Sequence, residues 1–177
     1  RMIVVDAALR ERAAEGNDVI VALSGAGFAA QGLVMQLHDA APGLRIGVIT
    51  NRTLQTVVDL LANVGIDDYV VVDDVEQIDA AVDRGQIAVT TDHVLACSSP
   101  CVEVVVEATG EIEHGARVSL AAIAARKHLV LVNAELVRGG YARTLTIAPN
   151  DALAPRLGRL QASAGRAGRG LWSTCNT

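Results

Sequence analysis

Residues 19–23 form an uninterrupted apolar run that enters Ser24-Gly25-Ala26-Gly27-Phe28-Ala29-Ala30, after which Phe28, Leu33, Val34 and Leu37 recur at helical spacing. A buried strand, a tight glycine turn and a helix, in that order, leave the chain few folds to choose from. In this G-x-G-x-x-A pattern Gly25 allows the turn. Gly27 keeps a Cβ away from any group that approaches the backbone, and Ala30 lets helix and strand pack closely. The helix start offers unpaired N–H groups and a positive dipole end, which together suit a pyrophosphate. Taken alone, the motif also fits a glycine turn without a ligand, or the similar turn of a methyltransferase.

The rest of the chain supplies the context that the motif needs. Residues 2–15 have helical spacing and stop at Gly16-Asn17-Asp18. After the first strand and helix, residues 44–49 read as a second buried strand and 53–64 as a helix with Thr53 at its N-cap. Short strands follow at 69–72, 87–90, 102–106 and 129–132, with helices at 75–84 and 112–126. Alternating helices and near-continuous apolar strands predict an α/β fold of Rossmann type, doubly wound, with a mainly parallel sheet and helices on both faces. Residues 1–136 form the nucleotide-binding domain on this reading. Residues 137–177 are an Arg/Gly-rich segment whose Gly139-Gly140, Pro149, Pro155 and residues 165–170 break up any long element, leaving 171–173 as the only further strand candidate.

In an open α/β sheet, ligands sit outside the carboxyl ends of the strands. NAD enzymes place an acid at the end of the second strand to hold the adenine ribose, but here the corner is Thr50-Asn51-Arg52-Thr53, with no acid between Asp39 and Asp59. The Arg52 guanidinium can pair with a 2′-phosphate, and Asn51 and Thr53 can hydrogen-bond beside it. NADP is therefore favoured, with NAD as the alternative. Val106-Glu107-Ala108-Thr109-Gly110 ends the strand at 102–106, so Thr109 and Gly110 border the nicotinamide half of the groove. Glu107 reads as a buried, hydrogen-bonded acid, or alternatively as an acid or base facing the pocket. Glu135, at the end of the following strand, is the candidate for substrate contact or proton transfer. His38, His93 and His128 have no partner spacing and His114 reads as a surface residue, so no metal site is expected.

Charge and composition narrow the function classes. The net charge of −5 divides unevenly: residues 1–137 carry nine basic and nineteen acidic side chains, and residues 138–177 carry six Arg and one Asp. An acidic body argues against nucleic-acid binding, which needs a basic surface. Aromatics make up 2% of the chain, too few for a base-stacking platform. Three Cys without regular spacing fit a reducing compartment. No run approaches the ~18 apolar residues of a membrane span, and the expected location is cytoplasmic with no membrane partner.

Five ordered segments, Val21 to Phe28, Ile49 to Thr53, Ala88 to Asp92, Val104 to Gly110 and Lys127 to Glu135, resemble the nucleotide-binding half of homoserine-dehydrogenase-like oxidoreductases. The Asn51-Arg52-Thr53 corner and the Asn133-Ala134-Glu135 end are similar to the SAF-domain-containing branch, which includes reductoisomerase-like proteins acting on 1-deoxy-xylulose 5-phosphate. Homoserine dehydrogenases proper have a Lys where this chain has Ala134-Glu135. The resemblance implies an NADP-dependent oxidoreductase that moves hydride to or from a carbonyl carbon of a small polar metabolite. Gly25, Ala26, Gly27, Phe28 and Ala29 would lie at the pyrophosphate, Arg52 at the 2′-phosphate, and Thr109 with Gly110 at the nicotinamide ribose. Members of the family continue into a substrate and oligomerisation domain, so this chain is expected to bind cofactor, turn over little alone and form homo-oligomers. A non-catalytic dinucleotide sensor or assembly module is the alternative reading.

Overall fold

A computed structural model describes residues 4–39, 41–132, 138–139, 154–169 and 173. Contacts divide the chain into two compact units, one of residues 1–109 and 114–132, the other of residues 110–113 and 133–177.

The first unit is built on six parallel strands. In chain order its elements are α1 (Val4–Ala14), β1 (Val19–Ser24), α2 (Phe28–Asp39), β2 (Leu44–Thr50), α3 (Leu54–Asn63), β3 (Tyr69–Val71), α4 (Val75–Asp83), β4 (Ile87–Thr90), α5 (His93–Ser98), β5 (Val104–Glu107), α6 (Ile112–Ala124) and β6 (His128–Leu131). The strands lie in the order β3-β4-β2-β1-β5-β6. The chain therefore places β2, β3 and β4 on one side of β1, with β4 inserted between β2 and the edge strand β3, then returns to place β5 on the other side of β1. The gap between β1 and β5 is the topological switch point of the sheet. The expected Rossmann-type architecture is present.

Side-chain alternation along the strands builds a core on each face. Leu23, Ile49, Val89 and Val106 pack with Ala30 and Val34 of α2 and Val57, Leu60 and Leu61 of α3. Their strand neighbours Ala22, Val48, Ala88 and Val105 pack with Ile78, Ala81 and Val82 of α4, Ala96 and Cys97 of α5, and Val118 and Ala122 of α6. Strands buried on both faces need apolar residues at every position, which explains their near-continuous Val, Ile, Leu and Ala.

Two helices depart from the sequence reading. α5 begins at Asp92, whose side chain accepts from the N–H groups of Val94 (2.8 Å) and Leu95 (3.3 Å). That cap starts a six-residue helix too short to show a period. In the second unit, Ala154–Arg166 is a helix, α7, where the prolines and glycines implied no long element. Pro155 stands in its first turn, where the missing N–H costs nothing. The strand candidate at 171–173 lies outside the described residues except for Ser173.

Leu61 is fully buried and Leu120 is 68% exposed. Leu61→Ala is expected to lower unfolding free energy by about 2–5 kcal/mol and Leu120→Ala by less than about 0.5 kcal/mol, measured by urea denaturation.

Candidate functional site

Main-chain hydrogen bonds tie the strand exits together along the carboxyl edge. Gly25 N–H donates to Thr50 O at 2.8 Å, Asn51 N–H to Thr90 O at 3.2 Å, Ala108 N–H to Ser24 O at 2.8 Å and Val132 N–H to Glu107 O at 2.7 Å. These bonds carry the ladder one residue past β1, β2, β5 and β6, so the segments that read as ligand-facing leave the sheet side by side.

Gly25 is where this arrangement admits no side chain. Its φ is +114°, and a Cβ there would stand 3.0 Å from both the carbonyl carbon of Ala108 and the nitrogen of Thr109. The turn after β1 thus rests directly on the exit of β5. A Cβ on Gly27 would meet nothing within 4 Å, so the space over that residue is open. Gln31 N–H makes the first helical bond, to Gly27 O at 2.9 Å. The N–H groups of Phe28, Ala29 and Ala30 precede it and form the donor end of α2. No acid occupies the first turn of α2. Ala26 and Ala29 are half-buried, and Phe28 is 95% exposed.

The β2 corner stands beside this turn. Asn51 is half-buried, and its Nδ2 donates to Thr53 O at 3.0 Å. Arg52 and Thr53 are exposed. Thr53 takes the N-cap position of α3, but its hydroxyl makes no capping bond, so the side chain expected to close the helix is not used for that purpose. Past β5, Thr109 is half-buried, and Gly110 is exposed with φ +78°. Glu107 is fully buried and accepts from Thr109, as the buried reading expected. Glu135 lies outside the described residues. The structure therefore brings the first turn, the β2 corner and Thr109 to one edge of one sheet.

One feature of this edge escapes a segment-by-segment reading. Thr90, Thr50, Ser24 and Glu107 are in register on four adjacent strands, and all are buried. By alternation they face the side of α4, α5 and α6. Each of the four strands ends on a single polar residue after an apolar stretch (Val-Ile-Val-Ala-Leu-Ser, Val-Ile-Thr, Ile-Ala-Val-Thr, Val-Val-Val-Glu), but only the register of the sheet joins the four into a row. Ser24 Oγ and Glu107 Oε2 are buried without a hydrogen-bond partner among the described residues.

On the same face His93 and His114 pack edge to face, with ring centroids 5.2 Å apart. Burial, followed by the neighbouring His114, holds the His93 imidazole below its ordinary pKa against the opposing pull of Asp92. Among the described residues no group of three or more His, Cys, Asp or Glu side chains could hold a metal ion. Cys97 and Cys101 are free thiols, and burial pushes Cys101 up to about 11.

A cleft of about 760 Å³ opens at the opposite, amino edge of the sheet, lined by Arg10, Asp18, His38, Arg45, Asp68 and Ile87 among others. Its lining carries both charges, with Arg45 4.0 Å from Asp18, and no one ligand chemistry is favoured. The carboxyl edge, with its donor end and open glycine, is the better candidate on chemical grounds.

The fold is a Rossmann-type α/β fold, shared with solved structures. A homoserine dehydrogenase from Thiobacillus denitrificans is similar over 84% of this chain and 28% of its own, with 20% identity and a TM-score of 0.50. A DOX-P reductoisomerase in complex with magnesium is similar over 81% of this chain and 36% of its own (21% identity, TM-score 0.47). A myo-inositol dehydrogenase from Lactobacillus casei, in complex with NAD(H) and myo-inositol, covers 64% of this chain and 28% of its own (13% identity, TM-score 0.48). The chain thus spans about a third of the length of these structures. A family profile described as Staphylococcal nuclease homologue matches residues 101–174, less than half of the chain. Its first part falls on β5, α6 and β6, of which β5 and β6 are strands of the parallel sheet. No curated protein matches the chain in sequence.

Gly25→Ala is expected to destabilise the fold by about 2 kcal/mol or more, because a side chain there is strained and meets main-chain atoms. Gly27→Ala should stay within about 1 kcal/mol of wild type. Guanidinium denaturation of both variants tests the difference.

Proposed function

We propose that this chain is the cofactor-binding part of an NADP-dependent oxidoreductase that moves hydride to or from a carbonyl carbon of a small polar metabolite. The observation that carries the reading is the open, donor-lined turn at Gly27, set at the switch point of a parallel sheet. A pyrophosphate suits that site for three physical reasons. The N–H groups of Phe28 and Ala29 precede the first helical bond, the helix dipole favours an anion, and no Cβ fills the space over Gly27. Arg52, exposed at the β2 corner, supplies a guanidinium for the 2′-phosphate, where an acid would instead hold a free 2′-hydroxyl.

When bound, the nicotinamide supplies the hydride, while the protein binds and orients it. Residues 25–29 would hold the pyrophosphate, Asn51, Arg52 and Thr53 the adenine ribose phosphate, and Thr109 with Gly110 the nicotinamide ribose. Residues 1–136 are the cofactor domain on this reading, and residues 137–177 belong to the part that meets the substrate. The resemblance in ordered segments to homoserine-dehydrogenase-like enzymes supports this class. The nuclease-homologue match does not carry a second reading, because the matched stretch includes β5 and β6, two strands of the six-stranded parallel sheet.

Fluorescence titration tests the proposal. NADPH should bind about tenfold tighter than NADH, and Arg52→Ala should bring the two within about threefold, the size of a lost charge-assisted contact. Gly27→Val should abolish binding of both while leaving the chain folded. Absence of NADPH and NADH binding to the wild-type chain, or an NADPH preference unchanged by Arg52→Ala, would contradict it.

A further inference from the structure

His93 and His114 are far apart in the chain, yet each stands where a strand exit has become a helix. His93 opens α5 just past the end of β4, and His114 lies in the first turn of α6, beyond the end of β5. Both are half-buried, and their rings meet edge to face with centroids 5.2 Å apart and planes at 65°. In the sheet β2 and β1 lie between β4 and β5, so the two rings bridge strands that share no ladder. Short bonds tie His93 to the strand exits: Asp92 N–H donates to Thr90 Oγ1 at 3.2 Å, and Asn51 N–H donates to Thr90 O at 3.2 Å.

An edge-to-face contact is favourable between uncharged rings, because the positive edge of one meets the negative face of the other. One proton still leaves an uncharged partner ring. Two protons put like charges side by side, where half-burial removes part of the water that would screen them. The surroundings of His93 resist its charge. Burial is the largest influence against the charged form, followed by His114; Asp92 favours that form, and Arg117 of α6 opposes it. The Asp92 carboxylate is already turned to the N–H groups of Val94 and Leu95. The acids nearest His114 in the chain are Glu111 and Glu113, and Glu107 Oε2 lies against Gly115.

We propose that the His93–His114 contact is a pH-sensitive clasp across the carboxyl edge: it is closed while at least one ring is uncharged and opens when both carry a proton. Opening frees the start of α5 and, through Asp92 and Thr90, loosens the β4 exit to which the β2 corner is bonded. The sign follows from His93, whose pKa in the folded chain lies below its ordinary value of 6.5. The unfolded chain takes that proton first, so the stability contributed by the uncharged ring is complete above pH 6.5 and declines as pH falls from there to the folded pKa. The clasp belongs to the chain alone and stands whether or not the edge holds a dinucleotide.

Proton NMR of the unliganded chain tests it from about pH 8 down to about pH 5, the range in which histidines titrate. His93 should titrate below 6.5, and His114→Gln should raise its midpoint. A nuclear Overhauser contact between the two rings should be present at the upper end of the range and vanish as His93 takes its proton. The Asn51 amide should shift with that titration in wild type and stay still in His93→Phe, which keeps a ring but takes no proton. Over the same range the urea midpoint of wild type should fall further than that of His93→Phe. A His93 midpoint at or above 6.5, a midpoint unchanged by His114→Gln, a ring contact that survives full protonation, or equal losses of urea midpoint in the two chains would each overturn the inference. Should His114→Gln not fold, wild type and His93→Phe carry the same test: an Asn51 amide shift that persists in His93→Phe overturns it.

Discussion

The contact between the turn after β1 and the exit of β5 is the constraint on which the rest of the edge depends. Gly25 adopts φ +114° with its α-carbon facing the main chain of Ala108 and Thr109, and its N–H is bonded to Thr50 O. Three strand exits are thereby locked around a residue without a side chain. Everything proposed for the site follows from that closeness. The helix that begins three residues later starts at the switch point, and the β5 exit lies within reach of whatever the helix start binds.

Behind this contact the sheet changes character over one row. Below it the strands are Val, Ile, Leu and Ala apart from Arg45 and Gly47 in β2; at the row itself stand Thr90, Thr50, Ser24 and Glu107, all buried. Buried polar groups are costly unless paired, so a row of four at one edge marks where the packing of the core gives way to a polar site. Thr90 is used locally, its hydroxyl accepting from Asp92 N–H at 3.2 Å. Glu107 is used on Thr109. The row supplies the site from beneath, while the loops supply it from above.

Most of the sheet was legible in the sequence because a strand buried on both faces must be apolar throughout, and that run cannot be mistaken for a surface element. The glycine turn was legible for a related reason: a φ of +114° and a main-chain neighbour at 3.0 Å tolerate glycine alone. α5 was hidden by its length, since six residues show no helical period and its only mark is the Asp92 cap. α7 was hidden by Pro155 and Gly165, which read as breakers although a proline in a first turn breaks nothing. The polar row was hidden because register joins residues 24, 50, 90 and 107, which are far apart along the chain.

The candidate site sits at the carboxyl edge although a cleft of about 760 Å³ opens at the amino edge. Donor geometry, the helix start and the open glycine outweigh volume there, because a dinucleotide phosphate is recognised by directed N–H groups rather than by cavity size. Two-dimensional ¹⁵N–¹H NMR of the labelled chain during NADPH addition decides between the edges. Amide shifts concentrated at residues 25–30, 51–53 and 108–109 are the expected result; shifts confined to residues 37–46, 68 and 85–87 around the amino-edge cleft, or no shifts at all, would contradict the placement of the site.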